Sequence, residues 1–208
     1  MKRSFPGSAM LAPVPAALIS CGDTAHPNAM TAAWIGMVCT DPPMLSVSIR
    51  PERFSYPVIE ESGCFTVNLT TEKLVRATDY CGVRSGKNVD KAAVCGFHYE
   101  PGEAVSSPAI AESPVSLECR VKEIRELGSH HMILAEILNV RVEEALISRD
   151  GRIALEKAGL ISYCHGQYFA LGELLGSFGY SVQKKKTAAR RQAAKRKFSS
   201  LPRKEGKA

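Results

Sequence analysis

In the run MLSVSIRP, residues 44–51, the side chains alternate: Leu45, Val47 and Ile49 fall on one face of an extended chain, and Ser46, Ser48 and Arg50 on the other. Two hydroxyls ending in a guanidinium suit an anion, because arginine presents a planar fork of donors to phosphate and serine adds hydrogen bonds without bulk. Just beyond, RFSYP (53–57) offers Ser55 as a helix cap and Pro57 in the first turn, so the free N–H groups of a helix start would lie beside the arginine. The same residues also describe a solvent-facing sheet surface with a capped helix behind it, and spacing alone leaves both readings open. Upstream, NAMTAAW (28–34) is a run of small residues read as a loop ahead of a strand. Small side chains let backbone amides approach a flat ligand closely, although an ordinary tight loop has the same composition.

Other chemistries lack their residues. His130 and His131 are adjacent, so on a strand they face opposite sides and cannot share a metal, and Cys95 with His98 is a lone pair without further ligands. No metal site is expected. There is no G-x-S-x-G elbow, no phosphate-binding P-loop and no G-x-G-x-x-G, which removes the carrying motifs of serine hydrolases, P-loop enzymes and dinucleotide-binding α/β domains.

The elements that must position these side chains are mostly strands. AALISC, WIGMVCT, MLSVSI, CFTVNL, VSLECRVKEI and HMILAEILNVRVEEALI are rich in branched and aromatic residues and separated by turn residues, which predicts an antiparallel sheet or barrel. Helices are predicted at SYPVIEES with Ser55 as cap, at TEKLVRATDYCG between Thr71 and Gly82, and for a turn or two in YFALGELLGSFG. The class is β-rich α+β, with no internal repeat. At 208 residues and 45% hydrophobic content the chain can bury one generous core.

Charge divides the chain. Of 27 basic and 21 acidic residues, 11 basic and one acidic lie at or beyond Lys184, so the preceding part carries 16 basic against 20 acidic groups, about −4, and the tail about +10. The basic overall balance therefore describes the tail, and nucleic acid is a partner only through it. That tail reads as solvated and disordered, with Phe198 and Leu201 its only large apolar residues. The predicted layout is an extension over 1–12, a domain over 13–183 and the tail over 184–208. Seven cysteines stand singly with no C-x-x-C pair, and they read as reduced thiols in a cytoplasmic protein. The N-terminal apolar patch is broken by Pro6, Pro13 and Pro15, and no run is long enough for a membrane span.

Taken in order, PVPAALIS, the stretch from Asn28 to Leu69, RSGKNVDK, SPVSLECRVKEIRELGSHHMILAEILNV and YFALGELLGSFG resemble the flavin reductase-like family of FMN-binding split-barrel proteins, which includes flavoredoxins. The resemblance covers roughly Pro13 to Gly179. It implies a six-stranded Greek-key barrel that forms a homodimer, with FMN near the interface. It places Asn28, Met30, Thr31 and Ala32 along the isoalloxazine edge, and Ser46, Ser48, Arg50, Ser55 and Tyr56 at the ribityl chain and phosphate. Ser85 and Lys91 are a further anion contact, and His130 lies where a nicotinamide or other substrate approaches. Relatives often carry Gly-Asp-His at that last segment; Ser129 stands here in place of the aspartate, which questions any role needing a carboxylate. Trp34 reads as core or dimer packing, and Tyr168 and Phe169 as packing or as a cover for the flavin from a partner subunit.

The resemblance implies electron transfer from NADH, NADPH or a protein donor through FMN to a small-molecule or protein acceptor. No catalytic acid–base pair or covalent nucleophile is required of the protein, because the flavin carries the redox chemistry. The competing function is a non-catalytic barrel that docks its basic tail on nucleic acid or an acidic partner. A haem-binding barrel is a weaker third, for want of an axial histidine. The choice of reductant, the acceptor, and whether FMN stays bound or leaves each turnover lie beyond sequence reading.

Overall fold

The computed structural model describes residues 1–182; the basic tail expected from Lys184 onward lies outside the described residues. One compact unit spans Met1–Leu171, and a second begins at Gly172, ahead of the compositional break at Lys184. The described part of the second unit holds a single 3-10 turn, Tyr180–Val182, closed by the Tyr180 N–H donating to the Ser177 carbonyl at 2.9 Å.

The first unit is built from strands β1 (Val14–Pro15), β2 (Ala17–Cys21), β3 (Asn28–Ala32), β4 (Ile35–Thr40), β5 (Pro43–Ile49), β6 (Cys64–Leu69), β7 (Tyr99–Glu100), β8 (Ala109–Ile110), β9 (Val115–Leu127), β10 (His130–Val142), β11 (Ile161–Cys164) and β12 (Gln167–Ala170). Three helices interrupt them: α1 (Ser55–Ser62), α2 (Val75–Val83) and α3 (Lys91–Cys95). The main sheet is antiparallel in the order β3-β2-β6-β9-β10-β5-β4. It curls until β3 also lies near β5. Its strands number seven because Asn28–Ala32, expected as a loop, pairs with β2 from Ala17↔Ala32 to Cys21↔Asn28. Smaller sheets, β1-β11-β12 and β7-β8, complete the strand set.

The inward faces form one core. Ala17, Ile19, Leu45, Val47, Ile49, Phe65, Val67 and Ile133 pack together, and the alternation read from 44–51 is the one observed. Strand β2 is buried at all five positions, since Leu18 turns outward under α2 and α3 against Leu74, Ala77, Cys81, Phe97 and Ile110. Ile133 is fully buried, and truncating such a side chain to alanine costs about 2–5 kcal/mol.

Two helix expectations change. Ser55 is the first residue of α1 and not its cap; Phe54, whose side chain has no acceptor, holds the cap position, and the Ser55 hydroxyl accepts from Asn28 Nδ2 at 2.7 Å. The turn expected in YFALGELLGSFG is absent from its first part, where Gln167–Ala170 pairs with Ile161–Cys164. The two-residue turn between them, His165 and Gly166, takes positive φ at both positions (51° and 88°), a geometry that matches hairpin twist. Among the described residues no helix is long and apolar enough to cross a membrane.

Candidate functional site

The ends of β3 and β5 meet the C-terminal half of α2 and the starts of α1 and α3 around a groove with two compartments. The first, about 320 Å³, is lined by Ser55 at the start of α1, by Ser85 and Gly86 after α2, and by Arg50, Arg53, Arg84 and Lys91. The second, about 340 Å³, has Met30, Thr31, Ala32, Ala33 and Trp34 along one wall and Tyr163, Gly166 and Tyr168 of the β11–β12 hairpin on another. Met30, Arg50, Arg53 and Gly82 border both, so the compartments are continuous.

Lys91 anchors the first compartment. The Asp90 carboxylate caps α3 by accepting the Ala93 N–H at 3.1 Å, which sets the helix start and aims the next residue, Lys91, inward. Lys91 is 5% exposed, and its ammonium donates to the Ala29 carbonyl at 2.6 Å and the Cys81 carbonyl at 3.2 Å. An ammonium has three donors, so one is left for the groove. Burial pulls the Lys91 pKa down, as expected of a cation held away from water.

Its neighbours are also short of anions. Among the described residues, no carboxylate lies within 4.0 Å of Lys91, Arg53 or Arg84, while Arg50 meets Glu52 at 3.6 Å. Four cations against one lining carboxylate, Glu52, in a concavity beside the first N–H groups of a helix make a phosphate-binding environment. The nearby thiols do not supply the missing charge: burial raises Cys21 to about 11 and Cys81 to about 12, which leaves both protonated at neutral pH.

The second compartment has fewer charged side chains, Arg50, Arg53 and Asp79. Gly82 of α2 packs against Thr31 of β3, where an added Cβ would sit at ordinary contact distance, 3.4 Å from Thr31 Cβ. The Thr31 hydroxyl donates to the Thr78 carbonyl, so it ties β3 to α2 and its proton is already committed. Ser48 faces the cavity near the end of β5, where its N–H donates to the Trp34 carbonyl at 2.8 Å. His130 opens onto the same space, and burial together with the Arg50 guanidinium pushes its pKa down, which keeps the ring neutral at pH 7. Burial and the Asp79 carboxylate raise Tyr168 to about 12, and its hydroxyl lies 3.4 Å from Asp79 Oδ1.

Of the residues singled out in the sequence, Met30, Thr31, Ala32, Ser48, Arg50, Ser55, Ser85, Lys91 and His130 line the groove. Three do not. Asn28 is buried beneath it, bonded to Ser55, and Gly86 packs so tightly above that a Cβ would lie 2.0 Å from Asn28 Oδ1. Ser46 sits mid-sheet between Gly36 and Leu134. Tyr56 belongs to the core, its hydroxyl donating to Glu60 Oε1 at 2.9 Å and lying 2.8 Å from His131 Nδ1. Trp34, read as packing, is 40% exposed on the groove wall, and Tyr168 lines the groove of its own chain. Sequence reasoning missed Arg53 and Arg84. The first had a signal in its i+3 spacing from Arg50; the second depends on where α2 ends.

The groove thus offers cations to a phosphate group, which carries about −1.5 to −2, and small-residue and aromatic walls to a flat ring.

Residues 10–172 match the family model described as a flavin reductase like domain. The solved flavoredoxin of Desulfovibrio vulgaris (Miyazaki F) is 33% identical, with a TM-score of 0.81 over 88% of this chain and 100% of that one. A Shewanella frigidimarina structure with a split barrel domain is 21% identical, with a TM-score of 0.72 over 81% of this chain and 87% of that one. The fold is thus a split barrel. A protein of Aeropyrum pernix is 32% identical over 128 residues, which is 61% of this chain and 49% of that relative, so the match spans about half of the other protein.

Proposed function

The chain belongs to the flavin reductase-like family, and on that basis we propose that it is an FMN-dependent oxidoreductase passing electrons from NADH, NADPH or a protein donor to an acceptor. The observation that carries this reading is the groove itself: a buried ammonium with a spare donor and two arginines without carboxylate partners, opening onto a flat cavity walled by small and aromatic residues. FMN, when bound, supplies the redox chemistry at its ring system.

The chain's own residues bind, orient and shield. Lys91, Arg84, Ser85 and Ser55 hold the phosphate, and Arg50 and Arg53 offset its charge where the compartments join. Met30, Ala32 and Ala33 give the ring a surface without bulk, while Tyr163 and Tyr168 exclude water from the opposite side. His130, neutral at pH 7, stands at the mouth as an uncharged hydrogen-bonding group for an incoming donor. Asn28 acts indirectly by fixing the Ser55 hydroxyl.

Further parts of the reading rest on other features. The outer strand Ile35–Thr40 exposes Met37 and Val38, which supports a homodimer built on this edge. Seven free thiols favour a reducing compartment, the cytoplasm. The tail's charge of about +10 keeps nucleic acid as a partner for that segment alone.

The test is the visible spectrum of purified protein with FMN, followed by anaerobic NADH and NADPH. A bound-flavin spectrum that bleaches with one nicotinamide is the expected result and names the donor. Bleaching only with dithionite assigns a protein donor, and failure to take up FMN refutes the proposal.

A further inference from the structure

Two more cavities adjoin the aromatic end of the groove, about 230 Å³ and about 300 Å³ in volume. Trp34 is on the wall of both and of the groove, and Tyr163 and Gly166 are shared between the groove and the smaller one. Most of their other walls come from residues 9–14, largely in the segment read from sequence only as an extension, with Ala33 and Ile35, the latter at the start of the outer strand Ile35–Thr40, added in the larger and His165 in the smaller. Within that segment Leu11 is 83% exposed and Met10 63% exposed, so large apolar side chains stand in water at a concave surface beside a redox site. Exposed apolar walls of this kind mark ligand or partner sites.

Charge distinguishes these cavities from the groove. No lysine, arginine or carboxylate lines either one, and Tyr163 and His165 provide the polar side chains. Of the four groove cations, Arg84 and Lys91 line only the far compartment, and Arg50 and Arg53 stand where the two compartments join. A phosphate-bearing nicotinamide or flavin gains nothing from such walls, whereas an uncharged planar ring buries its faces against Trp34 and Leu11 and offers carbonyl oxygens to the few donors.

We propose that the paired cavity is an acceptor subsite for a small, neutral, planar electron acceptor of the quinone class. This rests on the flavin reading of the adjoining groove. In the step it serves, the quinone gains two electrons and two protons and leaves as the hydroquinone, and the dihydroflavin loses the same two electrons and two protons.

Trp34 is the only tryptophan and borders the groove and both cavities, so its fluorescence reports on all three, and Leu11, which lines only the cavities, assigns the signal to them. Titrating 1,4-naphthoquinone into the flavin-free protein is expected to quench it saturably. Leu11→Ser alters an exposed position and leaves the core intact, and it is expected to raise the half-saturating concentration about tenfold, the scale set by losing one apolar contact surface. With FMN-loaded protein and a nicotinamide, the same variant is expected to raise the KM for naphthoquinone by a similar factor. FMN affinity and reduction of the anionic acceptor ferricyanide stay at their original levels. Quenching that never saturates, or a Leu11→Ser variant with unchanged half-saturation and KM, overturns the proposal. So does a variant whose mass by light scattering falls while its quinone KM holds, since the cavity is then a contact between copies. A protein that takes up no FMN refutes the flavin reading, and the Trp34 titration then still decides whether the cavity binds a quinone.

Discussion

Replacing Lys91 with methionine removes the buried ammonium while keeping a side chain of similar length. The position is 5% exposed, and two of its three donors are already held by the Ala29 and Cys81 carbonyls at 2.6 and 3.2 Å. The third is the donor assigned to phosphate. A charge-assisted hydrogen bond is worth about 1.5–3 kcal/mol, so FMN should bind roughly 10- to 150-fold more weakly to Lys91→Met. Titration of FMN fluorescence measures this directly, and a thermal melt of the flavin-free variant separates it from misfolding. The pH dependence supplies an independent check. Burial holds the folded-state pKa below the ordinary 10.5, so the unfolded chain binds this proton more tightly, and stability rises with pH between the folded value and 10.5. Phosphate favours the ammonium and reverses that balance, so FMN binding takes up a proton in this window and affinity falls as pH increases. Lys91→Met should lose that slope. A variant that folds, binds FMN within about twofold of the original and keeps the alkaline slope would refute the phosphate assignment, since 1.4 kcal/mol corresponds to a factor of ten.

Tyr56→Phe separates the structure from the family resemblance: losing the hydroxyl that meets Glu60 and His131 should cost about 0.5–1.5 kcal/mol of stability in urea melts, with FMN affinity unchanged. Arg50→Ala should weaken FMN binding by about 1.5–3 kcal/mol in the same fluorescence titration, and unchanged affinity would move the phosphate away from the junction of the compartments. Gly86→Ala forces a methyl group to within 2.0 Å of Asn28 Oδ1, so it should break the Asn28–Ser55 hydrogen bond and lower FMN affinity at least as much as Ser55→Ala, by isothermal titration.

How much of this was legible in the sequence depends on distance along the chain. The period-two pattern of residues 44–51 was enough to sort Leu45, Val47 and Ile49 from Ser46, Ser48 and Arg50, because strand geometry alone decides which face a side chain takes. It did not say which serine would meet a ligand. That depends on register: Ser46 lies opposite Gly36 and Leu134 within the sheet, and Ser48 reaches the open end beside Trp34. Strand β2 hid its role for the opposite reason, since burial on both faces erased the alternation that would have shown an inward and an outward side. The stretch at Asn28–Ala32 reads as a loop by its small residues, yet those residues let α2 pack onto it as a strand. Arg84 and Lys91 enter the groove only because α2 stops at Val83 and α3 starts at Lys91, boundaries that composition marks loosely.

The distribution of charge along the assembled site then narrows its chemistry further than any single residue does. Four cations collect where α1, α2 and α3 begin or end, and the aromatic residues collect where the β11–β12 hairpin and the N-terminal segment approach Trp34. A phosphate can satisfy the first region and not the second, while a neutral ring can satisfy the second without disturbing the first. A ligand with both parts is therefore held in one direction, phosphate toward α3 and ring toward Trp34. Reversing it would take a dianion away from Lys91 and Arg84 toward the aromatic end and leave Lys91 with an unused donor, a cost of about 1–3 kcal/mol for each buried polar group left unpaired and more for a charged one. On the proposed reading, charge segregation would set the orientation without requiring a specific contact to the ring. Conservative changes to the ring wall, such as Ala32→Ser, should accordingly leave the phosphate at Lys91, measured as an unchanged alkaline slope of FMN affinity. Loss of that slope in Ala32→Ser would show that the ring wall, and not the cations, fixes the orientation.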